Sequence, residues 1–511
     1  MATPELTEFY FERLAHKGIP EHAIRKLGKT GFRVSAIGFG GYRIHYNSIE
    51  HARALRYALL NGFNLIDTSS NYTDGGSEML IGNLLGEMIQ RKELRRDEVV
   101  VVSKVGYVQG QNLVLAQQNE AIGRPFPEMV KYMEGCWHCI HPEFLQDQLT
   151  RSLDRLNLTY LDVYLLHNPE YFLSHMKKQG NHDLESVRAE YYRRIKQAFE
   201  WMEEKVAEGK IKAYGISSNT FPLPANDFEF TSLEKVLEVA QSVSSTHYFQ
   251  IIQFPLNLYE TGACFEKNQA NGTKTLLELA REKEIGTMVN RPLNAVANNH
   301  MIRLASFRTT SAQIIQQNFK QELEKLRKLE DEFKKQFLPD LKVDVPKEKF
   351  EQVFSVAQQL QNALSAFQNW EHWDHVKQNI IFPQVFSYLS YLNQKLENNA
   401  DWFTWADKYS QTLYNFLESI TQQYENQAQR RSQKLEDLLN RLDSSLKQSE
   451  TLSQKVLRVL KSIQGIDCVL LGMRRTPYVE DALEALRADP IKDSEQLLIK
   501  FQQSKESYDF V

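Results

Sequence analysis

Four side chains that give and take protons stand at the ends of apolar runs. Phe63-Asn64-Leu65-Ile66 runs into Asp67, with Tyr72 shortly after it. Val99-Val100-Val101-Val102-Ser103 runs into Lys104, and Val163-Tyr164-Leu165-Leu166 runs into His167. A further run, Ala213-Tyr214-Gly215-Ile216, ends at Ser217. Each run reads as a short buried strand. An acid, a phenol, an amine and an imidazole therefore lie at or just past strand C-termini. In a barrel of parallel strands those ends meet at one face, where catalysis is done. The pattern points to an enzyme.

The elements that must position these groups are legible as alternation. From about residue 26 to 300, short apolar runs (65–67, 99–104, 162–167, 213–217, 251–254, 286–290) alternate with amphipathic segments (49–61, 77–90, 142–156, 187–208, 231–243, 274–283). Such alternation predicts a parallel sheet with crossover helices. Glycine turns around Leu27-Gly28-Lys29-Thr30-Gly31-Phe32 predict a small hairpin ahead of the first barrel strand. After about residue 304 the pattern changes. Apolar residues recur at helical spacing in four stripes: Ile315 to Phe337, Phe350 to Leu364, Trp402 to Ile420, and Leu435 to Leu442. Several such stripes predict a helical bundle that packs on itself, with the tryptophans in its core. Barrel-like sequence then returns, as a helix over 451–463, a strand Cys468-Val469-Leu470-Leu471 and a helix over 477–487. One barrel interrupted by an insertion accounts for this order.

Composition narrows the class. The 511 residues carry 61 basic and 65 acidic side chains, a net charge of −4, which gives no footprint for nucleic acid or an anionic membrane. No apolar run is long enough to span a bilayer. The N-terminus Met1-Ala2-Thr3-Pro4-Glu5 does not read as a secretory signal, and four cysteines fit a reducing compartment, so the expected location is cytoplasmic. Cys136-Trp137-His138-Cys139-Ile140-His141 offers zinc-ligating types. The tight spacing makes a tetrahedral site awkward, so a pocket-lining loop is expected there, and no metal.

Together these motifs resemble the aldo-keto reductase family. The resemblance rests on residues 27–41, Ile66-Asp-Thr-Ser-Ser-Asn-Tyr72 with Gly76-Ser-Glu-Met-Leu-Ile-Gly82, Ser103-Lys104, Tyr160 to His167, Tyr214-Gly-Ile-Ser-Ser-Asn219, Gln253 and Val469-Leu-Leu-Gly-Met473. It implies an α/β fold, a (β/α)8 TIM barrel with an inserted all-α helical bundle. The expected divisions are 1–304 for the hairpin and strands one to seven, 305–448 for the insertion, and 449–511 for completion of the barrel and the C-terminal tail. By the family's pattern Asp67, Tyr72, Lys104 and His167 form a catalytic tetrad. Tyr72 would be the proton donor or acceptor, and Lys104 would lower the phenol's pKa. Asp67 would keep Lys104 charged, and His167 would position the substrate oxygen.

The same resemblance implies a nicotinamide nucleotide, NADP in preference to NAD. Its expected contacts are Gly41 and Tyr42 after the first strand, Asp67, Ser217, Ser218 or Asn219, and Gln253. After strand seven they are Asn290, Arg291, Pro292 and Leu293, with Asn290 or Arg291 in the place of a stacking aromatic and Arg291 free to meet a phosphate. At the last strand they are Gly472, Met473, Arg474, Arg475 and Asp481, where amides of a helix start and arginines suit phosphate. The implied activity is interconversion of a small-molecule carbonyl and an alcohol by hydride transfer. The alternative is a non-catalytic or redox-sensing scaffold. In either case the insertion, expected to follow strand seven, could take a protein partner or mediate self-association.

Overall fold

The computed structural model describes residues 1–181, 183–297 and 300–507. They form two compact units, one of Met1–His300 with the chain from Leu439, the other of Met301–Leu438. In the first, eight strands close into a barrel. They are β1 (Ile37–Gly40), β2 (Leu65–Asp67), β3 (Val100–Val105), β4 (Leu161–His167), β5 (Ile211–Ser217), β6 (Phe249–Pro255), β7 (Gly286–Asn290) and β8 (Cys468–Gly472). Each pairs in parallel with its neighbours in sequence, and β8 closes on β1 through Val469↔Ile37 and Gly472↔Gly40. The outer helices are α1 (Ile49–Leu59), α2 (Gly76–Gln90), α3 (Pro142–Leu156), α4 (Leu184–Ala207), α5 (Leu233–Val243), α6 (Leu276–Glu282), α7 (Leu452–Lys461) and α8 (Thr476–Arg487). Side-chain caps start several of them: Ser48 at α1, Ser232 at α5, Thr451 at α7, and at α6 a reciprocal capping box between Thr275 and Glu278.

The interior of the barrel is packed. Leu65, Val100, Val102, Val163, Leu165, Ile251, Met288, Cys468 and Leu470 form one buried cluster with Leu27, Phe32 and Val34. The last three belong to or adjoin the antiparallel hairpin of Ile24–Lys26 and Arg33–Ser35, in the place the glycine turns predict. Gly215 keeps β5 close to β6, because a Cβ there would meet the Ile251 carbonyl oxygen at 1.9 Å. Strand period two extends the inward-facing rows upward. Val100 and Val102 lead to Lys104, Val163 and Leu165 to His167, Leu65 to Asp67, and Ile251 to Gln253. The polar residues are thus the last layer of the same rows that build the apolar core.

Cys136–His138 is a strand, not a loop. It pairs antiparallel with Tyr107–Val108 and with Val130–Met133 in a small three-stranded sheet between β3 and α3 in the chain. Short runs of mixed polarity without alternation hid it in the sequence.

The second unit is helical and has its own core. Leu326, Phe333, Phe354, Trp373, Trp402, Trp405, Tyr409 and Phe416 are buried there together. All but Trp373 come from the stripes visible in the sequence. Phe403 is an exception, because it faces away and is 38% exposed. No helix among the described residues is long and apolar enough to cross a membrane.

Candidate active site

The end of β3 carries Lys104 into the barrel with no exposed side-chain surface. An ammonium so placed needs acceptors. It donates to Asp67 Oδ2 at 2.7 Å, to the Thr68 carbonyl at 2.9 Å and to the Tyr72 hydroxyl at 3.1 Å. Its charge also lies 4.7 Å from the Tyr72 ring centre. Burial alone would lower the Lys104 pKa, but Asp67 and Tyr72 outweigh it and hold the group above its ordinary value. The Tyr72 ring stands edge-on to His167 at 5.9 Å and to Tyr42 at 5.4 Å. Asp67, Tyr72, Lys104 and His167 are therefore brought into one cluster.

The expected lowering of the Tyr72 pKa is present only as a contribution. Burial pushes the phenol up, Lys104 draws it down, Asp67 pushes it up again, and the net position lies above 10. Tyr72 as a whole is half-buried. His167 is held well below the usual imidazole range by burial, with Lys104 and His138 adding to the effect. It is neutral at physiological pH.

The residues expected to hold a nucleotide fall into two groups. Ser217, Gln253 and Asp67 are joined, since Ser217 Oγ donates to Gln253 Oε1 at 2.8 Å and Gln253 Nε2 donates to Asp67 Oδ1 at 2.9 Å. Gly41 donates its N–H to the Asp67 carbonyl at 2.7 Å, and Tyr42 is 56% exposed beside Tyr72. Asn290 ends β7 with a buried Oδ1 that has no partner among the described residues. Pro292 and Leu293 are both buried. Gly472 is exposed at the end of β8, followed by buried Met473, half-buried Arg474 and exposed Arg475.

Four expected contact residues have other partners. Ser218 turns its hydroxyl to Thr220 at 3.0 Å, while Asn219 is exposed and gives its backbone N–H to Glu170. Arg291, at a φ of 52°, pairs with Glu260 at 2.5 Å. Asp481 accepts from Thr451, Ser453 and Gln454 at the start of α7, where it stabilises the helix N-terminus. Sequence matching fixes where a residue lies along the chain, not which nearby donor claims its side chain.

Tyr107, Tyr132 and Tyr171 had no sequence signal, and His138 had one only as part of the expected pocket-lining loop. Tyr107 packs edge-on against His167 at 4.7 Å, Tyr171 against Tyr107 at 5.1 Å, and Tyr132 against Tyr171 at 4.7 Å. His138 Nε2 lies 2.7 Å from the His167 carbonyl oxygen, so it carries a proton and donates it. Among the described residues no group of three or more His, Cys, Asp or Glu side chains is arranged to hold a metal ion, and all four cysteines are free.

Burial lowers His138 to about 4 from 6.5, with Arg194 adding to that effect and the bond to His167 opposing it. The unfolded chain therefore takes up this proton first as pH falls. Stability is full above about 6.5 and declines as pH falls toward 4. The expected loss by pH 5 is of order 2 kcal/mol. Urea midpoints at pH 7.5 and 5 measure it, and His138→Gln should reduce that difference, leaving the part that buried His167 contributes. An unchanged difference would show that other groups carry the acid sensitivity.

The chain is similar in sequence to several known proteins. Escherichia coli NADH-specific methylglyoxal reductase is 25% identical over 200 residues, 38% of this chain and 51% of that protein. A Schizosaccharomyces pombe chain named as a voltage-gated potassium channel subunit beta is 30% identical over 158 residues, 30% of this chain and 38% of that one. The chain spans about half the length of the curated relatives it matches. Among solved structures, glycerol dehydrogenase of Gluconobacter oxydans aligns at 13% identity with a TM-score of 0.45, covering 94% of this chain and 95% of that one. The family model described as "Aldo/keto reductase family" matches residues 36–336, more than half of the 511. That match takes in seven of the eight barrel strands and every member of the Asp67–Tyr72–Lys104–His167 cluster, and the chain belongs to the aldo/keto reductase family.

Proposed function

We propose that the chain is an NAD(P)H-dependent oxidoreductase that interconverts a carbonyl and an alcohol, with Tyr72 as the acid and base. The observation that carries this reading is Lys104 Nζ, bound at once to Asp67 and to the Tyr72 hydroxyl beside His167. In reduction Tyr72 gives its hydroxyl proton to the substrate oxygen as negative charge develops there. Lys104 stabilises the phenolate left behind, and Asp67 keeps Lys104 charged and aimed. His167, neutral and buried, sets the position of the substrate oxygen. In oxidation the same groups run in reverse. When bound, the nicotinamide supplies or accepts the hydride.

The mouth of the barrel suits such a nucleotide. Asn290 Oδ1 is buried and unpartnered among the described residues, and Arg474 and Arg475 lie directly before α8, which starts without a side-chain cap. Arg475 lies 3.5 Å from Glu50, which leaves Arg474 as the better phosphate ligand. NADP is the proposed cofactor and NAD the alternative. Arg474→Ala should weaken NADPH on the order of tenfold and leave NADH unchanged, read by fluorescence titration. Equal loss for both nucleotides would place Arg474 on the pyrophosphate, and no loss for either would remove it from the site.

The substrate class is a small aldehyde, ketone or sugar, tested with a panel of such carbonyls and alcohols against the protein loaded with NADPH or NADH. Turnover of none of them, with nucleotide bound, would favour a scaffold or regulatory subunit that uses the helical unit for its partner.

A further inference from the structure

His167 is wired to a chain of side chains that the proposed chemistry does not use. Its Nδ1 lies 3.1 Å from Ser69 Oγ. Ser69 Oγ donates to Asn71 Oδ1 at 2.7 Å. Asn71 Nδ2 donates to Gln109 Oε1 at 3.2 Å, and Gln109 Nε2 to Cys136 Sγ at 3.1 Å. The chain links the loop after β2, the loop after β3 and the strand Cys136–His138.

A hydroxyl has one proton to give. The Ser69 proton is directed at Asn71 Oδ1, and its other neighbouring acceptor is the Lys104 carbonyl at 3.4 Å. Both are oxygens that only accept. With the Asn71 amide in this orientation, the contact between Ser69 and His167 runs the other way, with Nδ1–H donating to Ser69 Oγ. A neutral imidazole carries one proton, and burial keeps His167 neutral. Its Nε2 then presents a lone pair, which accepts from an alcohol hydroxyl and repels a carbonyl oxygen.

The chain can also run in reverse. If both amides turn over, Cys136 donates its S–H to Gln109, Gln109 donates to Asn71, Asn71 to Ser69, and Ser69 to Nδ1. The imidazole proton then sits on Nε2 and can be given to a carbonyl oxygen. The ring stays neutral in both states, one proton having moved from Nδ1 to Nε2. Burial raises the Cys136 thiol above its ordinary pKa, with the bond from Gln109 partly opposing it, so the S–H needed for reversal is retained at neutral pH.

We propose that Ser69, Asn71 and Gln109, ending on Cys136, are positioning residues that set the tautomer of His167, and through it whether the site favours alcohol or carbonyl. This rests on the reading of His167 as the residue that faces the substrate oxygen. The test is the ¹⁵N spectrum of the His167 ring in the full-length protein, which reports the tautomer without turnover, combined with KM for one carbonyl and its matching alcohol. Wild-type protein should show Nδ1–H. Ser69→Ala and Gln109→Leu should shift the ring toward Nε2–H and move the ratio of the two KM values about fivefold toward the carbonyl, the equivalent of one neutral hydrogen bond. Ser69→Thr, which keeps the hydroxyl, should restore both. Unchanged ¹⁵N shifts in Ser69→Ala and Gln109→Leu would overturn the proposal. A shifted tautomer with an unmoved KM ratio would overturn its link to substrate choice, while the Tyr72 assay described next judges the underlying reaction separately.

Discussion

Tyr72→Phe is expected to cut turnover by about a thousandfold while leaving nucleotide affinity and folding unchanged. The substitution removes one oxygen and keeps the ring. The edge-on contacts to Tyr42 at 5.4 Å and to His167 at 5.9 Å survive. What is lost is the hydroxyl held 3.1 Å from Lys104 Nζ, the only group in the cluster placed to deliver a proton under the charge of that ammonium. The wild-type pH profile carries a second expectation. Because burial holds the phenol above 10, it is protonated across the neutral range, and reduction should be nearly flat with pH. Oxidation needs the phenolate, whose fraction rises ~tenfold per pH unit below the pKa, so its rate should climb steadily to the alkaline limit of stability. Lys104, held above 10.5, stays charged throughout and cannot produce that slope. Full activity in Tyr72→Phe, or an oxidation rate that falls with pH, would rule out the phenol as acid and base.

Much of this geometry was legible because the site is a continuation of the core. Parallel strands covered on both faces read as unbroken apolar runs, and Val100 to Val105 is buried at every position. A polar residue ending such a run is conspicuous, and period two makes its direction predictable. That is why Asp67, Lys104 and His167 could be placed together before any coordinates. The stripes of the helical unit were legible for the parallel reason at period 3.6, and Phe333, Trp402 and Tyr409 are buried as that period requires. What stayed hidden depends on loops from different parts of the chain. His138 reaches the His167 carbonyl only because a short sheet folds back over it, and nothing local to residue 138 encodes that. Asp481 is an expected nucleotide contact, yet three donors at the start of α7 claim its carboxylate. Arg291 likewise has an acid, Glu260, closer to hand than a phosphate. Burial, which sequence does not display, reverses the direction that the neighbouring Lys104 charge alone implies for the phenol's pKa.

Lys104→Met should be the most destabilising single change in the cluster, at about 3–5 kcal/mol. The new side chain fills similar volume without charge. Asp67, 4% exposed, would then keep Gln253 as a donor to Oδ1 but lose the ammonium on Oδ2, leaving a buried carboxylate short of its counter-charge. Turnover should fall as far as in Tyr72→Phe, since the phenolate that forms on proton transfer would lose its stabilising cation. These two losses have different causes and can be separated. Asp67→Asn combined with Lys104→Met removes both charges and should recover most of the stability, because neutralising a buried pair costs far less than breaking it. It should recover none of the turnover. Unfolding of the barrel can be followed through Trp137 and Trp201, apart from the helical unit with Trp370, Trp373, Trp402 and Trp405. If the double variant is no more stable than Lys104→Met alone, the uncompensated carboxylate is not what the single change costs. If the double variant regains turnover, Lys104 does not tune the Tyr72 phenol.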